Sequence, residues 1–125
     1  MKTLKILIAE DDESSGMLLT ELIDEHSKEI LYVKTGVAAV EACRNNPDFD
    51  LILMDVQMPL MNGYDATRHI RKFNKKVVII AQTAFALSDE KEKADEAGCD
   101  DYISKPIRQV TLNELINKHL NKMIK

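Results

Sequence analysis

The chain has 125 residues, 45% hydrophobic and 30% charged, with 17 Lys and Arg against 21 Asp and Glu for a formal net charge of -4. A chain of this length makes one domain, residues 1–125, able to bury roughly two-thirds of the surface its unfolded form exposes, and the composition excludes disorder. The mildly acidic balance, with no block of basic residues, argues against direct nucleic-acid binding.

The opening residues MKTLKILIAEDD turn acidic at Glu10, too early for the apolar core of a signal peptide. No stretch approaches the roughly 20 apolar residues needed to span a bilayer. The expectation is a cytoplasmic segment without direct membrane contact, any anchor belonging to a longer parent chain. Cys43 and Cys99 lie far apart and form no metal-ligand spacing, which predicts reduced thiols of an intracellular protein.

In chain order, LKILIA at 4–9 is a near-continuous apolar run, the pattern of a strand buried on both faces. Residues 14–27 follow as a helix with Leu18, Leu19, Leu22 and Ile23 on one side and Ser14 or Ser15 as its N-cap. EILYVK at 29–34 is more mixed and predicts an edge strand. Residues 36–45 place Val40 and Cys43 together on a second helix. DLILM at 50–54 is a third strand, and residues 64–73 a helix that groups Ala66, Thr67 and Ile70. VVIIA at 77–81 is a fourth strand. SDEKEKADEAG at 88–98 is a solvated helix stopping at Gly98, where a left-handed cap suits glycine. DYIS at 101–104 is the fifth strand. A capping box of Thr111 and Glu114 opens the last helix, with Leu112, Leu115, Ile116, Leu120 and Met123 on one face.

Strict alternation of this kind predicts a doubly wound (βα)5 α/β fold, a flavodoxin-like three-layer sandwich with parallel strand order 2-1-3-4-5. Ligands of such sheets bind beyond the carboxyl ends of the strands, at the switch point between strands 1 and 3. The first strand delivers Glu10, Asp11 and Asp12 to that edge, the third Asp55, the fourth Thr83 and the fifth Lys105, followed by Pro106. Glu10, Asp11 and Asp55 together would repel one another unless a cation were bound, and hard oxygen ligands of this type suit Mg²⁺. Lys105 and Thr83 are what the equatorial oxygens of a phosphoryl group require, and Asp55 is the candidate nucleophile for in-line phosphoryl transfer. For Asp12 the simpler role of helix N-cap or loop residue is preferred.

The set EDD at 10–12, MDVQMPLMNG at 54–63, QTA at 82–84 and DDYISKPI at 100–107 resembles the receiver domain of two-component response regulators, from end to end of the chain. The resemblance implies phosphorylation of Asp55 from a phosphohistidine on a histidine kinase or histidine phosphotransfer protein. It implies Mg²⁺, with Mn²⁺ as a substitute, held by Asp11, Asp55 and the backbone carbonyl of Gln57, with Glu10 acting through a metal-bound water. Thr83 and Lys105 would grip the phosphoryl oxygens, Tyr102 would switch between outward and inward positions, and the Lys105–Pro106 peptide would be cis. The output would be a change in the surface of the fourth helix, fifth strand and fifth helix, with the phosphodonor docking on the first helix around Met17 to Ile23 and a phosphorylation-dependent homodimer allowed. Glu10, Gln57 and the phrase DVQMPLMNGYDATRHIR look most like receivers fused to hybrid sensor histidine kinases. The isolated domain is then not an enzyme, although it assists its own phosphorylation and dephosphorylation.

Two rivals fit less well. An aspartate-nucleophile phosphatase or phosphotransferase of the haloacid dehalogenase type wants a carboxylate where Gln57 stands. A flavin or nucleotide module would need a phosphate-cradling loop where the acidic EDDE sequence lies. Phe85, two residues after Thr83, is expected to shield an acyl phosphate from water. His26, His69 and His119 match no ligand spacing, and Met54, Met58 and Met61 read as packing residues.

Overall fold

The computed structural model describes residues 3–84 and 88–120. In chain order these form β1 (Leu4–Ala9), α1 (Glu13–Ile23), a 3₁₀ turn (Asp24–His26), β2 (Ser27–Val33), α2 (Gly36–Asn45), β3 (Leu51–Asp55), α3 (Gly63–Arg71), β4 (Val78–Thr83), α4 (Ser88–Ala97), β5 (Asp101–Ser104) and α5 (Gln109–Leu120). All five strands pair in parallel in the order β2-β1-β3-β4-β5, so the doubly wound α/β sheet read from the alternation is present.

Strands β1, β3 and β4 are buried along their whole length because helices cover both faces. On one face Leu7, Ile52 and Ile79 pack with Val40, Cys43, Ala66 and Ile70 of α2 and α3. On the other, Ile6, Leu53 and Ile80 pack with Leu19 and Ile23 of α1 and Leu112, Ile116 and Leu120 of α5. Each fully buried Ile or Leu contributes about 1.5–3 kcal/mol, so the central strands are the rigid part of the molecule. Their carboxyl ends carry the polar residues.

Several boundaries differ from the sequence expectation. Asp12 caps α1, the role preferred for it from the sequence, and Ser14 and Ser15 do not: its carboxylate accepts from the Ser15 backbone N–H at 2.9 Å and from Ser15 Oγ at 2.8 Å. The helix stops at Ile23 instead of reaching residue 27, because Ser27 pairs with Leu4 in the sheet and its hydroxyl donates to the Ile23 carbonyl at 2.7 Å. Leu18 is exposed, since the i, i+4 pair Leu19 and Ile23 takes the inward face. α5 begins at Gln109, which puts Thr111 and Glu114 inside the helix and leaves no capping box. Gln109 anchors that start instead, donating to the Leu22 carbonyl at 2.8 Å and to Asn113 Oδ1 at 2.9 Å. Met123 lies outside the described residues. β4 runs on to Thr83 because Gln82 and Thr83 pair with Ile103 and Ser104.

The α4 stop is as expected: Gly98 has φ +106. Gly63 answers a different demand, since a Cβ there would collide with the Asp55 carbonyl. The start of α3 therefore passes directly against the backbone of Asp55, with the Gly63 N–H donating to the Val56 carbonyl at 2.9 Å. Both cysteines are buried free thiols, and burial pushes Cys43 up to about 12 and Cys99 up to about 11. Neither forms a thiolate near neutral pH. Among the described residues no helix is long and apolar enough to cross a membrane.

Candidate functional site

Glu10 follows β1 and Asp55 ends β3; register carries the two strands side by side, with Ala9 opposite Met54. Both carboxylates are almost fully buried, Glu10 at 0% and Asp55 at 4% exposure. Asp11 is exposed, yet one oxygen from each of Glu10, Asp11 and Asp55 lies within 4.8 Å of the others. Asp12 does not join them, because its carboxylate is committed to capping α1.

Lys105 reaches across from the end of β5. Its Nζ sits 2.9 Å from Glu10 Oε1 and 3.4 Å from Asp55 Oδ1, so Glu10 is its tighter partner. Backbone donors complete the first contacts: the Asp12 N–H donates to Glu10 Oε2 at 3.2 Å and the Gln57 N–H to Asp55 Oδ1 at 3.3 Å. Burial, then the hydrogen bond and charge of Glu10, push Asp55 up from 3.8 to about 7, against the opposing pull of Lys105 and the Gln57 N–H. Burial alone would lower Lys105, but Glu10 and Asp55 outweigh it and hold the ammonium above its ordinary range.

Three carboxylates against one ammonium leave negative charge in a buried place. Hard oxygen donors at this spacing, facing an open cleft of about 690 Å³, fit a divalent cation of the Mg²⁺ type, which keeps several waters and shares oxygens with a phosphate. Gln57 lines the same cleft. Thr83 is buried at the end of β4, opposite Ser104, and its carbonyl accepts from the Lys105 N–H at 2.8 Å. Tyr102 is half-buried, opposite Ala81, and packs against the core on the α2 and α3 face. The Lys105–Pro106 peptide is cis. Phe85 lies outside the described residues.

Two residues in the cleft were not singled out from the sequence. Tyr64, at the start of α3, lines it and donates a short 2.5 Å hydrogen bond to the buried Glu90 of α4. Gln82, opposite Asp55 in the sheet, is a fully buried amide. A glutamine closing the otherwise apolar run VVIIA was a visible signal for the second; nothing in the residue pattern pairs Tyr64 with Glu90.

A parallel doubly wound sheet whose switch point holds an acidic, lysine-bridged cluster defines a class of domain that gathers its ligand chemistry at the carboxyl ends of the central strands. Residues 6–117 match the response regulator receiver domain, and the chain belongs to that family. It is 37% identical over 128 residues to hybrid signal transduction histidine kinase I of Dictyostelium discoideum, covering 96% of this chain but 7% of that protein. The receiver domain of sensor histidine kinase PA1611 from Pseudomonas aeruginosa PAO1, solved with a magnesium ion in its active-site cleft, superposes with a TM-score of 0.83 at 30% identity, covering 94% of this chain and 98% of that one. The receiver domain of Saccharomyces cerevisiae Ssk1, solved with the histidine phosphotransfer protein Ypd1, gives 0.87 at 29% identity, covering 94% and 89%. This chain is therefore a receiver domain of two-component phosphorelay signalling.

Proposed function

We propose that residues 1–125 act as one receiver unit in which Asp55 is the phosphoacceptor, taking a phosphoryl group from a phosphohistidine of a kinase or histidine phosphotransfer protein. The observation that carries this reading is the buried Asp55 carboxylate at a rigid strand end, bridged to Lys105 at 3.4 Å and facing an open cleft. An Asp55 oxygen attacks phosphorus, the P–N bond to imidazole breaks, and an acyl phosphate replaces the carboxylate.

Asp55, Asp11 and the Gln57 carbonyl would hold Mg²⁺, with Glu10 contributing through water and Mn²⁺ as substitute. When bound, the cation supplies charge neutralisation for the carboxylates and the incoming phosphoryl oxygens. Lys105 exchanges its grip on Glu10 for a phosphoryl oxygen, and the Thr83 hydroxyl donates to another. Adding about -1.5 to -2 units of charge at that strand end biases the α4, β5 and α5 surface through Thr83 and Tyr102. The domain alone is not an enzyme in this reading, since Asp55 is modified rather than turned over. A hybrid histidine kinase is the parent that the Dictyostelium relative suggests.

Incubation with Mg²⁺ and acetyl phosphate should add one phosphoryl group by intact mass, and Asp55→Asn should abolish the addition. An unmodified wild-type chain, or a mutant that still reacts, refutes the assignment.

A further inference from the structure

Helix α4 buries very little carbon. Among the described residues its buried side chains are Glu90, Ala94 and Ala97, an i, i+4, i+7 face, and the other described side chains of SDEKEKADEA are exposed and charged. The two alanines bury one methyl group each, whereas α5 is anchored by Leu112, Ile116 and Leu120. Polar contacts therefore decide where α4 lies. At its tail Arg71 donates to the Gly98 carbonyl at 2.8 Å. In its first turn the contact is the Tyr64 hydroxyl, which donates to Glu90 Oε2 at 2.5 Å.

Glu90 is 7% exposed, and that hydroxyl is its hydrogen-bond partner among the described residues, with Lys93 Nζ standing 3.9 Å off. An aliphatic residue would fill the position without the cost of a buried carboxylate. What the pair adds is a bond between two helices, one of which starts at the phosphoacceptor. Tyr64 walls the cleft beside Met58 and Asn62. It is the second residue of α3, directly after Gly63, whose backbone packs on the Asp55 carbonyl so closely that a Cβ would collide. The Gly63 N–H is bonded in turn to the Val56 carbonyl at 2.9 Å. A change of shape at Asp55 thus reaches Tyr64 without slack, across the cleft and along the chain.

We propose that the Tyr64–Glu90 hydrogen bond is a latch that holds the first turn of α4 to α3 while Asp55 is a free carboxylate, and that phosphorylation of Asp55 displaces Tyr64 and releases it. The inference deepens the phosphoacceptor reading and rests on it, adding a route along α3 to the one through Thr83 and Tyr102. Its direction follows from the contacts. The bond is made together with the bridge from the Asp55 carboxylate to Lys105 at 3.4 Å, the arrangement that an acyl phosphate replaces. Seating a phosphoryl group in the cleft moves the wall that Tyr64 forms, and α4 has too little buried carbon to follow it. By linkage, a bond that opposes the phosphorylated arrangement weakens phosphoryl binding by the same factor that phosphorylation weakens the bond.

The test combines ¹H–¹⁵N NMR of the whole 125-residue chain with its affinity for beryllofluoride, a phosphoryl mimic, in saturating Mg²⁺. Glu90→Met removes the acceptor and fills the space, whereas Glu90→Gln keeps an acceptor oxygen. In wild type the mimic should shift the α4 amides from Glu90 to Ala97. In Glu90→Met those amides should lie at least about halfway along that path before the mimic is added. The mimic should then bind about tenfold tighter, as expected for the loss of one hydrogen bond to a charged group, while Glu90→Gln stays within about threefold of wild type. Amides of Glu90→Met at their wild-type positions, an affinity equal to or weaker than wild type, or a glutamine variant indistinguishable from the methionine one each overturn the latch and leave the pair a structural contact. Should Glu90→Met fail to fold, Tyr64→Phe breaks the same bond and carries the comparison through the α4 shifts. A wild-type chain that takes no phosphoryl group from acetyl phosphate removes the phosphoacceptor reading and the latch with it. A wild type that reacts at Asp55, with α4 unmoved in Glu90→Met, removes the latch alone.

Discussion

Replacing Asp55 by asparagine keeps the side-chain shape and removes a charge that the fold buries at 4% exposure beside Glu10. In the folded chain the carboxyl titrates at about 7 instead of 3.8, chiefly through burial and then through Glu10. A folded value above the unfolded one means that the native state binds the proton more tightly, so stability is full below about pH 4 and is lost as pH rises through about 7. At about 1.4 kcal/mol per pH unit this penalty reaches about 4 kcal/mol by pH 8. Relaxation of the open cleft and water entry reduce it, giving an expected gain for Asp55→Asn of about 2–4 kcal/mol at pH 8. With roughly 3–5 °C per kcal/mol for a domain of this size, the thermal midpoint should rise by about 10 °C. Urea unfolding in chelator at pH 4.5, 6, 7 and 8 measures it: the variant's advantage should be smallest, about 1 kcal/mol or less, at the lowest pH and grow towards the highest. Adding Mg²⁺ at pH 8 should stabilise wild type and leave the variant nearly unchanged. A variant no more stable than wild type at pH 8, or an advantage independent of pH, refutes the account of the buried carboxylate pair.

Glu10→Gln removes the tighter partner of Lys105 and one of three clustered carboxylates, so Mg²⁺ affinity by titration should fall by about 10-fold or more. Lys105→Met leaves Glu10 and Asp55 without their cation; it should lower stability in chelator by about 2–4 kcal/mol and slow phosphorylation by acetyl phosphate, read by denaturant unfolding and intact mass. Tyr64→Phe strips the short hydrogen bond from buried Glu90 and should cost about 1–3 kcal/mol in urea unfolding at neutral pH. Gly63→Ala drives a methyl group into the Asp55 carbonyl and should cost about 3 kcal/mol or more by the same assay.

The sheet was legible because burial on both faces writes itself as unbroken apolar runs, and LKILIA became β1 without adjustment. The cluster of Glu10, Asp11, Asp55 and Lys105 was legible because strand ends of a doubly wound sheet converge by topology. Helix starts were harder, since Asp12, Ser14 and Ser15 are all competent caps and only the contact to the Ser15 N–H chooses among them. Thr111 and Glu114 obey the capping-box spacing while sitting inside α5, because tertiary bonds from Gln109 set the helix start two residues earlier. The Tyr64 and Glu90 pair spans two helices 26 residues apart, a relation no local pattern encodes. The grip of Lys105 on Glu10 ahead of Asp55 depends on side-chain reach across the cleft, which spacing does not give.

One arginine bears on how the switch surface can travel. Arg71, ending α3, donates to the carbonyls of Gly98 at 2.8 Å and Val77 at 2.7 Å and to Asp100 Oδ2 at 2.9 Å. Asp100 in turn accepts from the Ile79 N–H at 2.9 Å, so the tail of α4 and the root of β4 are tied to one planar fork. Near its other end the same helix is held a second time, by the Tyr64 hydroxyl donating to buried Glu90. A helix pinned to the sheet at its tail and to α3 in its first turn cannot drift; any displacement of α4 has to exchange one of these named bonds for another.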